Sequence, residues 1–445
     1  MTENTDTPRK PWRAEDFPQA DLTDQIAVLV AGANALVREG RLEDAEAVYR
    51  RILKTAPHNL QAITFVALRA FDAGRYEESI VHLKEALVLD PNRDSLHRNL
   101  ALVRLAQGLN GKALQAIDRA IELNPDSALN HLHRGVILES LDRKSEALAS
   151  YGRALARDPV LRHLPSGLPP KIRALAHRAI SHLAPILLAR IDAAQREVET
   201  ASGAPLPARA RDFLEIFKGL KPRVYEDPNQ RPEFLFYPGL NPRPWFERGE
   251  FSWIRALESA TPAIRAEFEA LDAGLEEPHL PAQSACPKHW QHLAGSLAWG
   301  SFPLYRSGVP VPKILHVCPG TFTALKCLPL AQGRGHSPEV FFSTLTPGTH
   351  LPAHHGQSNA WVMIHLALIV PDESAIQVGG ETRHWRKGRT LIFDDSFKHV
   401  ARNEGSAALT VLTANIWNPA LSAIERELIE RVIDAHSRFS EEYFT

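Results

Sequence analysis

Cysteine is scarce in this 445-residue sequence: Cys286, Cys318 and Cys327 are the three present. An odd number, so widely scattered, excludes a disulfide framework and a zinc-binding pattern, and a reducing compartment is the expectation. Neither sign of charge is in excess, with 51 Lys and Arg against 52 Asp and Glu and a formal net charge of -1. No global field draws in nucleic acid or an anionic membrane, so neither is expected as a partner. Long hydrophobic runs are missing too, since stretches such as Leu183 to Ala189 fall well short of a membrane span. The start, MTENTDTPRKPWRAEDF, is polar and carries no visible signal peptide or anchor, so the expected location is cytoplasmic. A chain of this length exceeds one ordinary core, and several domains are expected.

The first third is periodic. Pro57, Pro91, Pro125 and Pro159 stand 34 residues apart, each near the end of a helical pattern. Columns of mostly small residues keep the same register: Ala33, Ala67, Ala101 and Gly135; Ala45, Ser79, Ala113 and Ala147. Tyr49, Leu83, Ile117 and Tyr151 supply bulk between them, while Gly40, Gly74 and Gly108 mark turns and Asp142 stands where a fourth glycine is due. Period and columns over 25–161 resemble the tetratricopeptide repeat, a helix pair that buries its apolar face only by stacking on its neighbours. The concave side of such a stack suits a protein or peptide partner; an array that only dimerises or stiffens the molecule is the alternative. Over 162–225 come helical patterns from Ile172 to about Glu199, interrupted by Pro185, and from Ala208 to Leu220, read as a cap and connector. Past Lys221 the texture turns Pro- and aromatic-rich, so the next domain is placed at 226–420.

A helical stretch near Trp253 to Leu271 precedes short β-rich runs at Val340 to Leu345, Trp361 to Val370, Ala375 to Gly379, Thr390 to Phe393 and Leu409 to Trp417. Such spacing predicts a barrel or jelly roll whose mouth holds a ligand. An amphipathic helix, Leu421 to His436, closes the sequence within 421–445. The run FSTLTPGTHLPAHHGQSN, the phrase LIFDDSFKH and the ending NIWNP resemble the aspartyl/asparaginyl β-hydroxylase family of iron(II)- and 2-oxoglutarate-dependent oxygenases, over roughly Phe234 to Pro419. The fold class expected is therefore multidomain α plus β, an N-terminal α-solenoid of repeats and a C-terminal double-stranded β-helix.

The resemblance implies that His354 and His399 hold Fe(II), with Gly356 where a third, carboxylate ligand is usual and a water in its place. It also implies that Ser343 helps hold the far carboxylate of 2-oxoglutarate and that His365 lies near its keto-acid end. Neutral imidazoles suit Fe(II), and a facial site must leave room for a chelating keto acid and oxygen. With 20 histidines in the chain, a pair alone has no weight; the surrounding strings carry the assignment. His355 adjoins His354, but strand alternation sends neighbouring side chains opposite ways. Asp394, Asp395 and Asn359 read as turn builders that bond backbone.

Two positions depart from the family, and both concern anions. Leu409 stands eight residues before the tryptophan of NIWNP, where the family places an arginine on the far carboxylate. Trp361 and Met363 share a strand face with His365 and replace two further arginines. Arg383, Arg389, Arg402 and Lys326 are candidates to supply the missing cation, and a less acidic target than an aspartyl substrate is favoured. The expected function is hydroxylation of a protein or peptide side chain, with the repeats recruiting substrate or partner. The alternative is a scaffold whose barrel has lost turnover. The oligomeric state is left open.

Overall fold

The computed structural model describes residues 22–282 and 286–445. Two compact units divide the chain: one runs to Ala184 and takes in Glu441–Thr445, and the other is Pro185–Ser440.

In the first unit the described residues form helices α1 (Leu22–Arg38), α2 (Leu42–Thr55), α3 (Leu60–Asp72), α4 (Tyr76–Leu89), α5 (Asp94–Ala106), α6 (Asn110–Leu123), α7 (Ala128–Ser140) and α8 (Lys144–Arg157). Each odd-numbered helix turns into the next through a left-handed residue: Gly40, Gly74 and Gly108 at φ 76, 74 and 74, and Asp142 at φ 56. Aspartate is one of the few L-residues that enter this region at modest cost, which explains the substitution in the fourth repeat. Ala33, Ala67 and Ala101 are wholly buried, as are Leu83, Ile117 and Tyr151. The array thus stacks as the period predicts.

Helix α9 (Pro170–Ser202) is continuous through Pro185 rather than interrupted by it. The boundary between the units falls inside this helix. Its later residues Ile191, Ala194 and Val198 join Phe213 and Leu214 of α10 (Ala208–Phe217) in a core that also holds Tyr237.

The second unit contains strands β1 (Trp245–Phe246), β2 (Glu277–Pro278), β3 (Trp299–Arg306), β4 (Val309–Pro310), β5 (Val340–Leu345), β6 (Thr349–His354), β7 (Trp361–Ile369), β8 (Ser374–Val378), β9 (Glu381–His384), β10 (Thr390–Phe393), β11 (His399–Asn403) and β12 (Leu409–Trp417). They make a large antiparallel sheet in the order β1-β10-β7-β12-β5-β3-β2, with β4 on β3, and a small one in the order β6-β11-β8-β9. This is the double-stranded β-helix. The helical stretch near Trp253 is two helices, α11 (Ile254–Ser259) and α12 (Thr261–Glu269), because Pro262 cannot continue the first.

Period-2 alternation on the large sheet decides what faces where. Phe342, Ile364, Leu366, Leu412 and Ala414 point to one core, which takes in Ile254, Leu257 and Ile264 of the flanking helices. Leu345, Ala367, Leu409 and Val411 point the other way and meet Leu351, Ile376 and Ala401 of the small sheet. Both faces of β12 are covered, so all nine of its residues are buried, the polar Thr410, Thr413 and Asn415 included. After α13 (Pro312–Val317) and α14 (Pro319–Leu325), the last helix is α15 (Ala423–Tyr443), whose Leu428, Ile429, Val432 and Ile433 cover Trp361 and Trp417. Among the described residues, no helix is long and apolar enough to cross a membrane.

Candidate active site

His354 is the last residue of β6 and His399 the first of β11, and the two are direct cross-strand partners. Their ring centroids lie 3.9 Å apart with an interplanar angle of 51°. Each ring is fixed in the same way. His354 Nδ1 bonds the carbonyl of Pro352 at 2.8 Å, and His399 Nδ1 bonds that of Phe397 at 2.9 Å. A carbonyl only accepts, so Nδ1 carries the proton and Nε2 presents a lone pair. Burial, and secondarily the neighbouring His354, hold His399 well below the ordinary imidazole value; burial also lowers His354, against the bond it donates to the Pro352 carbonyl. Two neutral imidazoles, each with Nε2 left free by the bond at Nδ1, thus lie side by side. His355 is turned to the backbone of Asn229 instead.

Both histidines line a cavity of about 470 Å³ between the two sheets, together with Ser343 and His365. Sequence reading therefore named four residues that the fold brings to one place. Ser343 Oγ accepts a hydrogen bond from Trp299 Nε1 at 3.1 Å. His365 lies edge-on to Phe393, with ring centroids 4.8 Å apart, and parallel to Trp385 at 6.0 Å. Burial pushes its pKa down to about 3, so it too is neutral.

Gly356 has a clear steric reason. A Cβ built on it would land on the carboxyl group of Asp395, while its own N–H donates to the Asp395 carbonyl at 2.6 Å. The volume that a side chain at 356 would fill is thus occupied by a carboxylate from elsewhere in the chain. Asp395 Oδ1 is buried without a hydrogen-bond partner, and burial, then the charge of Asp394, raise its pKa well above the ordinary value. The unpartnered oxygen leaves room for a donor or a cation beside it. Among the described residues no group of three or more His, Cys, Asp and Glu side chains takes up metal-ligand geometry, so Asp395 stands beside the histidine pair rather than in it. Asp395 does bond backbone, accepting from its own N–H, and it is Oδ1 that is left over. Asp394 does build the turn, accepting from Ser396 N at 2.9 Å, Ser396 Oγ at 2.5 Å and Gln230 Nε2 at 2.8 Å. Asn359 bonds backbone as expected, but that of the distant Tyr237, at 2.7 and 2.8 Å.

None of the candidate cations reaches the cavity, whose described lining contains no Lys or Arg. Arg383 pairs with Glu381 at 2.7 Å and Glu247 at 3.0 Å, and lies over the Trp245 ring. Arg389 pairs with Glu258 at 3.0 Å, Arg402 with Glu404 at 3.8 Å, and Lys326 sits over Phe322. Carboxylates, the nearly buried Glu258 among them, engage the three arginines outside the cavity, and the Phe322 ring engages Lys326. Met363 and Leu409 line the cavity, whereas Trp361 belongs to the core under α15.

Sequence reading missed His279, Trp290, Trp299, Trp385 and Thr413, all of which line the cavity. Thr413 was within reach, since alternation along β12 puts it on the face of Leu409 and Val411. The others come from loops or from strands paired far along the chain and have no local signal.

A family model described as aspartyl/asparaginyl beta-hydroxylase matches residues 258–419, and models described as TPR repeat and tetratricopeptide repeat match 68–108 and 98–161. Aspartate beta-hydroxylase domain-containing protein 2 of Rattus norvegicus is 34% identical over 206 residues, 45% of this chain and 58% of that one. Ornithine lipid ester-linked acyl 2-hydroxylase of Rhizobium tropici is 30% identical over 225 residues, 47% of this chain and 77% of that one. The human aspartyl/asparaginyl beta-hydroxylase is 26% identical over 368 residues, which reach across 81% of this chain and 43% of the relative. The chain thus spans about three fifths of the rat relative's length. With a catalytic-domain match, a relative covered over most of its length and a sheet pair that encloses a histidine site, this chain belongs to the aspartyl/asparaginyl β-hydroxylase family and carries tetratricopeptide repeats.

Proposed function

We propose that the second unit is an iron(II)-dependent hydroxylase driven by a 2-oxo acid, and that the repeats bring it a protein or peptide whose side chain is hydroxylated. The observation that carries this reading is the pair of imidazoles, with rings 3.9 Å apart, each with Nδ1 tied to a carbonyl and Nε2 left free. A scaffold freed from chemistry has no use for two desolvated nitrogen lone pairs beside an unpartnered carboxylate oxygen, which together cost stability in the absence of a cation.

The donor set fits Fe(II). His354 and His399 would hold the ion, and the unpartnered Oδ1 of Asp395 would accept from a water at the open third position. When bound, iron supplies oxygen activation, coupling oxidative decarboxylation of a 2-oxo acid to hydroxylation of an unactivated carbon. The chain's own residues exclude bulk water with the aromatic walls of Trp290, Trp299 and Phe393. They also keep Nε2 of both ligands deprotonated and offer hydroxyl and imidazole donors from Ser343 and His365. The family's co-substrate is 2-oxoglutarate. Its 2-oxo acid head matches His365, while its second carboxylate would find Ser343 as a neutral donor but no cation in the described lining.

Anaerobic titration of the full chain with Fe(II) tests the reading. One ion per chain is expected to bind, and His399→Ala is expected to abolish uptake with the helical circular dichroism unchanged. Undiminished iron binding by that variant overturns it.

A further inference from the structure

The cavity has two chemically different ends. At the histidine end lie buried polar atoms without hydrogen-bond partners: His365 Nδ1 and Thr413 Oγ1. His365 and Thr413 are cross-strand partners, and His365 packs on Phe393, whose ring lies 6.2 Å from that of His399. These neutral donors suit the carboxylate and keto oxygen of a 2-oxo acid head.

The other end is marked by Leu345, whose carbonyl accepts from Asn403 Nδ2 at 2.8 Å. Asn403 closes β11 at the end opposite His399, a strand length of about 13 Å at about 3.3 Å per residue. Leu409 pairs with Leu345 across the large sheet, and Leu351, Ile376, Ala401 and Val411 complete the wall. The donors on this stretch are neutral: Ser343 Oγ, opposite Val411 and bonded to Trp299 Nε1, and the unpartnered Trp385 Nε1. No Lys or Arg lines it, so a carboxylate buried there lacks a balancing charge.

We propose that this second end takes an uncharged, apolar group, so that the 2-oxo acid used by this protein carries a hydrocarbon or aromatic tail in place of a second carboxylate. The proposal rests on the hydroxylase reading of the histidine pair and goes beyond it by fixing the co-substrate class. Leu409 acts as the specificity determinant, because it puts an apolar side chain where the family's arginine grips the far carboxylate. The cavity, at about 470 Å³, has room for such a tail within the usual range for small-molecule sites.

The test is anaerobic titration of the full chain loaded with Fe(II), using 2-oxoglutarate, 2-oxo-4-methylpentanoate and phenylpyruvate in turn. Binding is read from the weak visible absorption of the iron chelate. The two apolar-tailed acids are expected to bind at least tenfold more tightly than 2-oxoglutarate. If 2-oxoglutarate binds as tightly or more so, the proposal is wrong while the hydroxylase reading stands. If none of the three gives the absorption although iron binds, the hydroxylase reading fails and takes the proposal with it. A second arm uses Leu409→Arg, expected to move the preference toward 2-oxoglutarate by at least tenfold. An unchanged preference in the folded variant removes Leu409 from the tail site, and if the variant does not fold the wild-type comparison still decides.

Discussion

Gly356 and Asp395 show how one position depends on another that is remote in sequence. The carboxyl of Asp395 lies where a β-carbon at 356 would be, so Gly356→Ala must push it aside. Overpacking of this kind costs about 1–3 kcal/mol. Seven of the eight tryptophans lie in the second unit, so the fluorescence-monitored transition reports it. Gly356→Ala is expected to lower that transition, and Gly356→Ala with Asp395→Ala to recover most of the loss. Additive losses in the double variant would show that the two side chains do not compete for space. Glycine at 356 could be read directly from the sequence. That Asp395 fills the volume could not, because both aspartates of DDSF look alike until β10 and β11 fix which of them faces the cavity.

Among elements, β5, β10 and β12 run over the residues that their β-branched and aromatic content predicts. Strands β6 and β11, which carry the two histidines, were not delimited. Strand β6 holds Pro352 and alternates only loosely in burial, as an edge strand of the small sheet can, and its identity comes from pairing with β11 rather than from propensity. Helix α15 begins with a similar long-range device. Glu425, almost fully buried, accepts from Arg209 of α10 at 2.5 and 2.8 Å and from Tyr237 Oη at 2.9 Å. Burial opposes its charge, but the bonds from Arg209, Ser422 and Tyr237 bring its pKa down to about 2. A lowered carboxylate pKa stabilises the fold above the unfolded value, about 4.3 for Glu, and that contribution is lost as pH falls from there through about 2. Glu425→Gln should therefore cost about 2 kcal/mol near neutrality, discounted for the partial exposure of Arg209. The difference from wild type should shrink toward zero below pH 3 in acid-unfolding curves; a constant difference would rule out the carboxylate as its source.

At the scale of the whole molecule, the two units have separate cores, small-residue helix packing in the first and sheet-on-sheet packing in the second. A lesion in one is expected to leave the other in place. Gly135 packs so closely on the Tyr151 ring that a β-carbon would overlap it, so Gly135→Ala is expected to destabilise the array by about 1–3 kcal/mol. Gly111→Ala, which meets nothing, serves as the control. Helical ellipticity should melt earlier in the first variant, with the tryptophan transition unmoved. A common shift of both signals would mean that the units unfold together.

By itself the sequence determined the repeat array and where β5, β7, β8, β10 and β12 lie along the chain, because period and alternation are local properties that each helix or strand needs to bury its own apolar face. It also determined that two histidines stand in an oxygenase-like setting without a carboxylate between them. Only the tertiary structure decided that their rings meet 3.9 Å apart, that Asp395 fills the place beside Gly356, and that every candidate cation is held outside the cavity. Those outcomes depend on which strands pair across the two sheets and which carboxylates reach each guanidinium first, and neither is encoded in any short stretch of chain.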